Sequence, residues 1–149
     1  MKVFYRLQLE NGEGVYRTLE KANPNRSKGI KIVEEFMGDM NSSRHPTPSS
    51  DSLLGKNLEK IAGLEFAESL WGDGKYIPNG ILKPYIFGFT SKDQFFSWFY
   101  NKPCLDALKE VGYNLYKLTN PKTLIKGNAQ AVVKKEEWFS SNEIEKVEI

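Results

Sequence analysis

Tyr85-Ile86-Phe87-Gly88-Phe89-Thr90-Ser91-Lys92-Asp93-Gln94-Phe95-Phe96-Ser97-Trp98-Phe99-Tyr100 decides the fold class. Its first five residues are apolar almost throughout, which predicts a strand central in a sheet, covered on both faces. Ser91 and Gln94 then have the spacing of a capping box, in which a side-chain oxygen accepts from an unfilled helical N–H. Phe95, Trp98 and Phe99 follow at helical spacing, so the strand passes straight into an aromatic helix. Those rings are read chiefly as core, with one ring of the wide stripe left over for a partner.

Downstream, Pro103 suits a first helical turn and Leu105, Leu108 and Val111 point one way, with Gly112 as the stop. Strands are expected at 113–118 and 129–133, and an edge strand at 144–149. Lys134–Glu137 reads as a solvated strand end. Upstream, Val3, Tyr5, Leu7 and Leu9 alternate with Phe4, Arg6 and Gln8, which predicts a first strand. Asn11-Gly12-Glu13-Gly14 forms a hairpin turn, and residues 15–17 pair back briefly. Helices are expected within 30–40 and over 57–71, Gly63 weakening the second. The stretches 41–52 and 72–84 are long functional or mobile loops. Strands separated by helices but ending in consecutive strands give α+β: one domain over 1–149, a mixed or antiparallel sheet with helices packed against it.

The 149 residues carry 21 Lys and Arg against 19 Asp and Glu, a net charge of +2. That near balance lacks the basic footprint of a nucleic-acid binder, so nucleic acid is not expected as a partner. One cysteine, Cys104, and one histidine, His45, make no metal-ligand spacing, and no metal is expected. The first residues become charged too early for a signal peptide, and no apolar run approaches the ~20 residues of a membrane helix. The expected location is the cytosol of a cell.

Candidate site residues follow from chemistry. Arg44-His45-Pro46-Thr47-Pro48-Ser49-Ser50-Asp51 strings a cation, an imidazole, hydroxyls and a carboxylate along backbone stiffened by two prolines. His45 titrates near neutrality and Asp51 can orient it. Arg6 sits on the less apolar face of the first strand, where an inward guanidinium requires an anion or carbonyls. Arg17 follows the same argument. Gln130, entering a late strand, is a candidate orienting amide. Arg6, Arg17, Arg44, His45, Asp51 and Gln130 therefore make up the expected ligand site, with Arg6 and His45 in one concave pocket.

Several short motifs follow in order: Tyr5-Arg6 with a Gly-x-Gly-x-Tyr turn, Arg44-His45-Pro46-x-Pro48-x-x-Asp51, Gly88-Phe89-x-Ser91-x-x-Gln94-x-x-x-Trp98-Phe99, Gly112-Tyr113-x-x-Tyr116 and Gln130-x-Val132-Val133. This order resembles a group of small accessory proteins of bacteriophage and prophage genomes. That resemblance implies an accessory viral protein and names no activity. Together with the missing nucleophile and metal constellations and the glycine-rich loop over 72–84, it favours a non-enzymatic protein that binds a nucleotide-like ligand or blocks a host defence protein. A more distant resemblance is to ADP-ribosyltransferases. It implies an alternative, an enzyme using NAD as cofactor. Arg6 would then hold the NAD phosphate, and Phe87 to Phe99 would shape the nicotinamide pocket. Gln130 stands at the late position where that fold carries a catalytic glutamate. Enzyme and non-enzyme both remain open at this level.

Overall fold

The computed structural model describes residues 1–15, 28–37, 51–68, 75 and 77–149. Strand β1 (Val3–Gln8) pairs antiparallel with β3 (Asn114–Thr119), which pairs antiparallel with β6 (Glu145–Val147). A second antiparallel sheet has the order β2 (Tyr85–Gly88), β5 (Ala131–Lys134), β4 (Ile125–Lys126). The two sheets meet at one residue pair: Tyr5 and Phe89 exchange backbone hydrogen bonds of 2.7 and 2.8 Å. The spatial order is therefore β6-β3-β1-β2-β5-β4, and β1 and β2 diverge beyond that single pair. Gly88 makes the approach possible, because a Cβ there would run into the Tyr5 carbonyl and the Phe4 ring.

Three cores result. Leu7, Phe89 and Leu115 pack against Val33 and Met37 of α1 (Lys28–Met37), Phe95 and Trp98 of α4 (Lys92–Trp98), and Leu105 and Leu108 of α5 (Lys102–Glu110). Tyr85, Val132 and Ile125 pack against Leu54 and Leu58 of α2 (Ser52–Ala62), with Ile77 just before the short α3 (Asn79–Leu82). Between the sheets, Phe4, Leu118, Ile86, Ala131 and Val133 enclose Trp138 of α6 (Lys135–Ser140). Strand β2 is apolar along its length because Tyr85 faces one core and Ile86 another.

The expected α+β class and the helix starts at Ser91 and Pro103 hold; the strand over 85–88 is covered on both faces as expected, but it stands at the end of its three-stranded sheet and meets β1 at one pair only. Ser91 Oγ accepts from Gln94 N–H at 3.0 Å, and Gln94 Oε1 accepts from Thr90 N–H at 2.8 Å. Asn101, just ahead of Pro103, caps α5 by accepting from Cys104 N–H at 2.9 Å. Three expectations need correction. Helix α2 occupies 52–62 rather than 57–71: Asp51 caps its start, and Gly63, at φ 67°, ends it in the left-handed conformation. The excursion over 72–84 contains α3. Residues 135–140 are helical rather than a solvated strand end, with Trp138 inward, 1% exposed. The strand expected over 15–17 lies mostly outside the described residues, as do 41–50 of the first long loop.

Candidate functional site

Side chains alternate along a strand, so Phe4, Arg6 and Gln8 share the β1 face that looks between the sheets. Phe4 is fully buried there, and Gln8 is buried too. Sequence reading expected this face to be the less apolar one, and it is a second core with a polar end. Gln8 Oε1 accepts from Arg6 Nε at 3.1 Å and from Trp138 Nε1 at 3.0 Å. Arg6 Nη1 donates to the Phe87 carbonyl at 3.0 Å, and Nη2 to the Gly12 carbonyl at 3.3 Å. Both carbonyls flank the gap left where β2 departs from β1. Beside it, Gly14 takes over as the neighbour of Gln8 on β1. The guanidinium thus spans an opening in the sheet.

Its electrostatics are unusual. All three acceptors are neutral, and Arg6 pairs with no carboxylate among the described residues. Burial pulls its pKa down from 12.5 to about 10, partly countered by the Tyr113 phenol, so it is a cation at neutral pH. Of the five guanidinium N–H groups three are engaged, leaving one on each terminal nitrogen. The Tyr113 hydroxyl accepts from Gly29 N–H at 3.2 Å at the start of α1, and reaches the Gly14 carbonyl at 3.5 Å. Burial raises the Tyr113 pKa above its ordinary value, with Glu13 adding to the rise.

Asp51, the second charged residue placed by the sequence, has a different environment. It is 3% exposed and accepts three backbone hydrogen bonds: Leu54 N–H at 3.1 Å, Asn128 N–H at 2.8 Å and Ala129 N–H at 2.9 Å. The carboxylate caps α2 and pins the turn before β5 to it. Gln130 is buried on that same turn, its carbonyl accepting from Gly127 N–H at 2.8 Å. Asp51 and Gln130 therefore come together at one turn. Arg6 lies across β2, joined to them through Phe87, which pairs with Val132 of β5. Arg17, Arg44 and His45 lie outside the described residues, and so does the expected juxtaposition of Arg6 and His45.

Sequence reasoning missed Gln8 and Trp138. The position of Gln8, two residues from Arg6 on the same strand face, was the available signal. Trp138 follows four charged residues directly, and a six-residue helix is too short to show a period. A surface hollow of about 440 Å³ beside β6 is lined by Lys109, Asn114, Lys146, Val147, Glu148 and Ile149, none of them a predicted site residue. Cys104 is buried, and burial raises its thiol pKa. No group of three or more metal-ligating side chains occurs among the described residues. Nor is any of their helices long and apolar enough to cross a membrane.

These features define an α+β protein whose two antiparallel sheets close around a tryptophan, with an arginine at the seam that pairs with no carboxylate among the described residues. A family described as Bacteriophage T4 Y00F protein matches residues 1–148, and the chain belongs to that bacteriophage family. No curated protein and no solved structure matches it.

Proposed function

We propose that this phage protein is a non-catalytic accessory protein that holds a phosphate-bearing, nucleotide-like ligand, with Arg6 as the anion contact. The observation that carries this reading is the partly buried guanidinium with only neutral acceptors and two N–H groups to spare. A buried cation is costly unless an anion compensates it, and forked N–H donors match phosphate oxygens. Arg17, Arg44 and His45 belong to the proposed site as further anion contacts, and Gln130 as an orienting amide. Asp51 holds the Gln130 turn in place.

Titration calorimetry with ADP and with pyrophosphate tests it. Binding should weaken about tenfold or more in Arg6→Gln, a loss of roughly 1.4 kcal/mol or greater. Equal affinity in the variant would remove Arg6 from the site. Labelled NAD incubated with host lysate forms the second arm: label transfer that vanishes in Arg6→Ala would replace the binder by the transferase alternative.

A host protein as the bound partner has its own support. Phe36, Phe96 and Tyr100 are 40%, 41% and 50% exposed. Phe96 and Tyr100 lie where α4 gives way to α5, and the end of α1 is tied to that turn by Asn101 Nδ2, which donates to the Phe36 carbonyl at 3.3 Å. Exposed aromatic side chains are enriched at interfaces. Serine at Phe96 and Tyr100 should abolish a stoichiometric host complex and leave nucleotide binding untouched.

A further inference from the structure

We propose that the stretch of surface bearing Lys2, Lys83, Lys122, Lys134 and Lys135 contacts the phosphate backbone of duplex nucleic acid. Net charge averages over the whole chain, but the fold sorts it. Asn120 N–H donates to the Lys2 carbonyl at 2.7 Å, placing the start of β1 beside the residues that follow β3. Lys122 comes two residues later. Lys134 N–H donates to Thr123 Oγ1 at 2.9 Å, which sets the end of β5 against the same segment. Lys135 N–H donates to the Pro84 carbonyl at 2.8 Å, adding Lys83. A continuous path of hydrogen bonds therefore gathers five lysines that are far apart in sequence.

All five are exposed, and none forms an ion pair among the described residues. Two carboxylates lie in the stretch. Glu136 is exposed. Glu137 is engaged: it accepts from Lys122 N–H at 2.7 Å and from Thr123 N–H and Oγ1 at 2.8 and 2.5 Å. The surplus is strongly positive in a chain whose total is only +2. Its chemistry narrows the partner. Lysine ammonium groups are mobile point charges, suited to phosphates and not to the bidentate reading of base edges. An exposed ring on α6, Phe139, lies over Gly12, and a single ring is no platform on which successive unpaired bases would stack. Sequence-independent contact with a duplex backbone fits both facts.

The surface is independent of the Arg6 site, and the test keeps them apart. Fluorescence anisotropy with a short mixed-sequence DNA duplex should show binding that weakens steeply with salt. The slope of log affinity against log salt should be about −3 to −4, since each neutralised phosphate contributes about −0.9. The triple variant Lys122→Gln/Lys134→Gln/Lys135→Gln should reduce that slope by two or more, with an unchanged melting temperature. Arg6→Gln and the control Lys56→Gln/Lys60→Gln, on α2, should bind duplex like the parent protein. Absence of duplex binding, or an unchanged slope in the triple variant, overturns the proposal. So does tighter binding to a polyglutamate peptide than to duplex, which would assign the surface to an acidic protein.

Discussion

Asp51 and Arg6 are charges withdrawn from water in one molecule, and they are compensated in opposite ways. Asp51 has three backbone N–H donors converging on its two oxygens, from a helix start and from a turn. Its charge is used up by the fold. Arg6 has three neutral acceptors, two of them carbonyls at a gap in the sheet, and keeps unfilled donors. A buried charge whose hydrogen bonds all belong to the scaffold is an architectural part. One with donors to spare, carrying a depressed pKa at a seam, has capacity for a ligand.

The contrast can be broken at Asp51 first. Asp51→Ala should cost about 2 to 3 kcal/mol, because it removes a helix cap and strands two further part-buried N–H groups. Urea unfolding would measure this, and a cost below about 1 kcal/mol would mean the N–H groups find other acceptors. Next comes Gly127, where a Cβ would stand 2.5 Å from the Asp51 carboxylate and 2.6 Å from the Gln130 carbonyl. Neither neighbour can yield, so Gly127→Ala should cost about 2 kcal/mol by crowding.

Arg6→Met should cost less, about 1 kcal/mol or below, because the lost hydrogen bonds are offset by relief of a desolvated charge. The sign follows from its pKa. With the folded value lowered to about 10, the cost of burying the cation is fully present at neutral pH and fades only as pH rises through that value. Gly14→Ala sharpens the point. Its Cβ would meet the Arg6 Nη2 at 2.7 Å, the far end of a flexible side chain. Melting temperature should barely move, and ligand affinity should fall with the displaced guanidinium.

The smallest expected effect is at Glu137. Burial alone would raise its pKa, but hydrogen bonds from Lys122 and Thr123, helped by the Lys122 charge, hold it below the ordinary carboxylate value. It therefore stabilises the fold above the ordinary value and loses that contribution as pH falls through the depressed one. Glu137→Gln should flatten the acid limb of the stability curve, by less than about 1 kcal/mol for so exposed a group.

Much of this was legible in the chain. The apolar run 85–89, the Ser91 cap, the Pro103 helix start and the alternation of β1 each state their local structure, because turn and cap chemistry acts within a few residues. Gly63 was legible as a weakness in a helix, but its role as a stop depends on φ. Helix α6 was hidden, since four charged residues precede the buried ring. For the candidate site, Arg6 was marked as a cation in need of a partner. Gln8 as the acceptor shared by Arg6 and Trp138 was not, since Trp138 arrives from 130 positions away.

By itself the sequence determined most of the strands, the starts of α4 and α5, and that the chain is α+β, because propensity, capping and periodicity are short-range. Only the tertiary structure decided that two small sheets touch at one residue pair, that the Arg6 face is interior, that Asp51 is saturated, and that five scattered lysines share a surface. Those outcomes depend on which carbonyls and N–H groups meet across long stretches of chain. That is a matter of closing loops and filling volume, which no local pattern encodes.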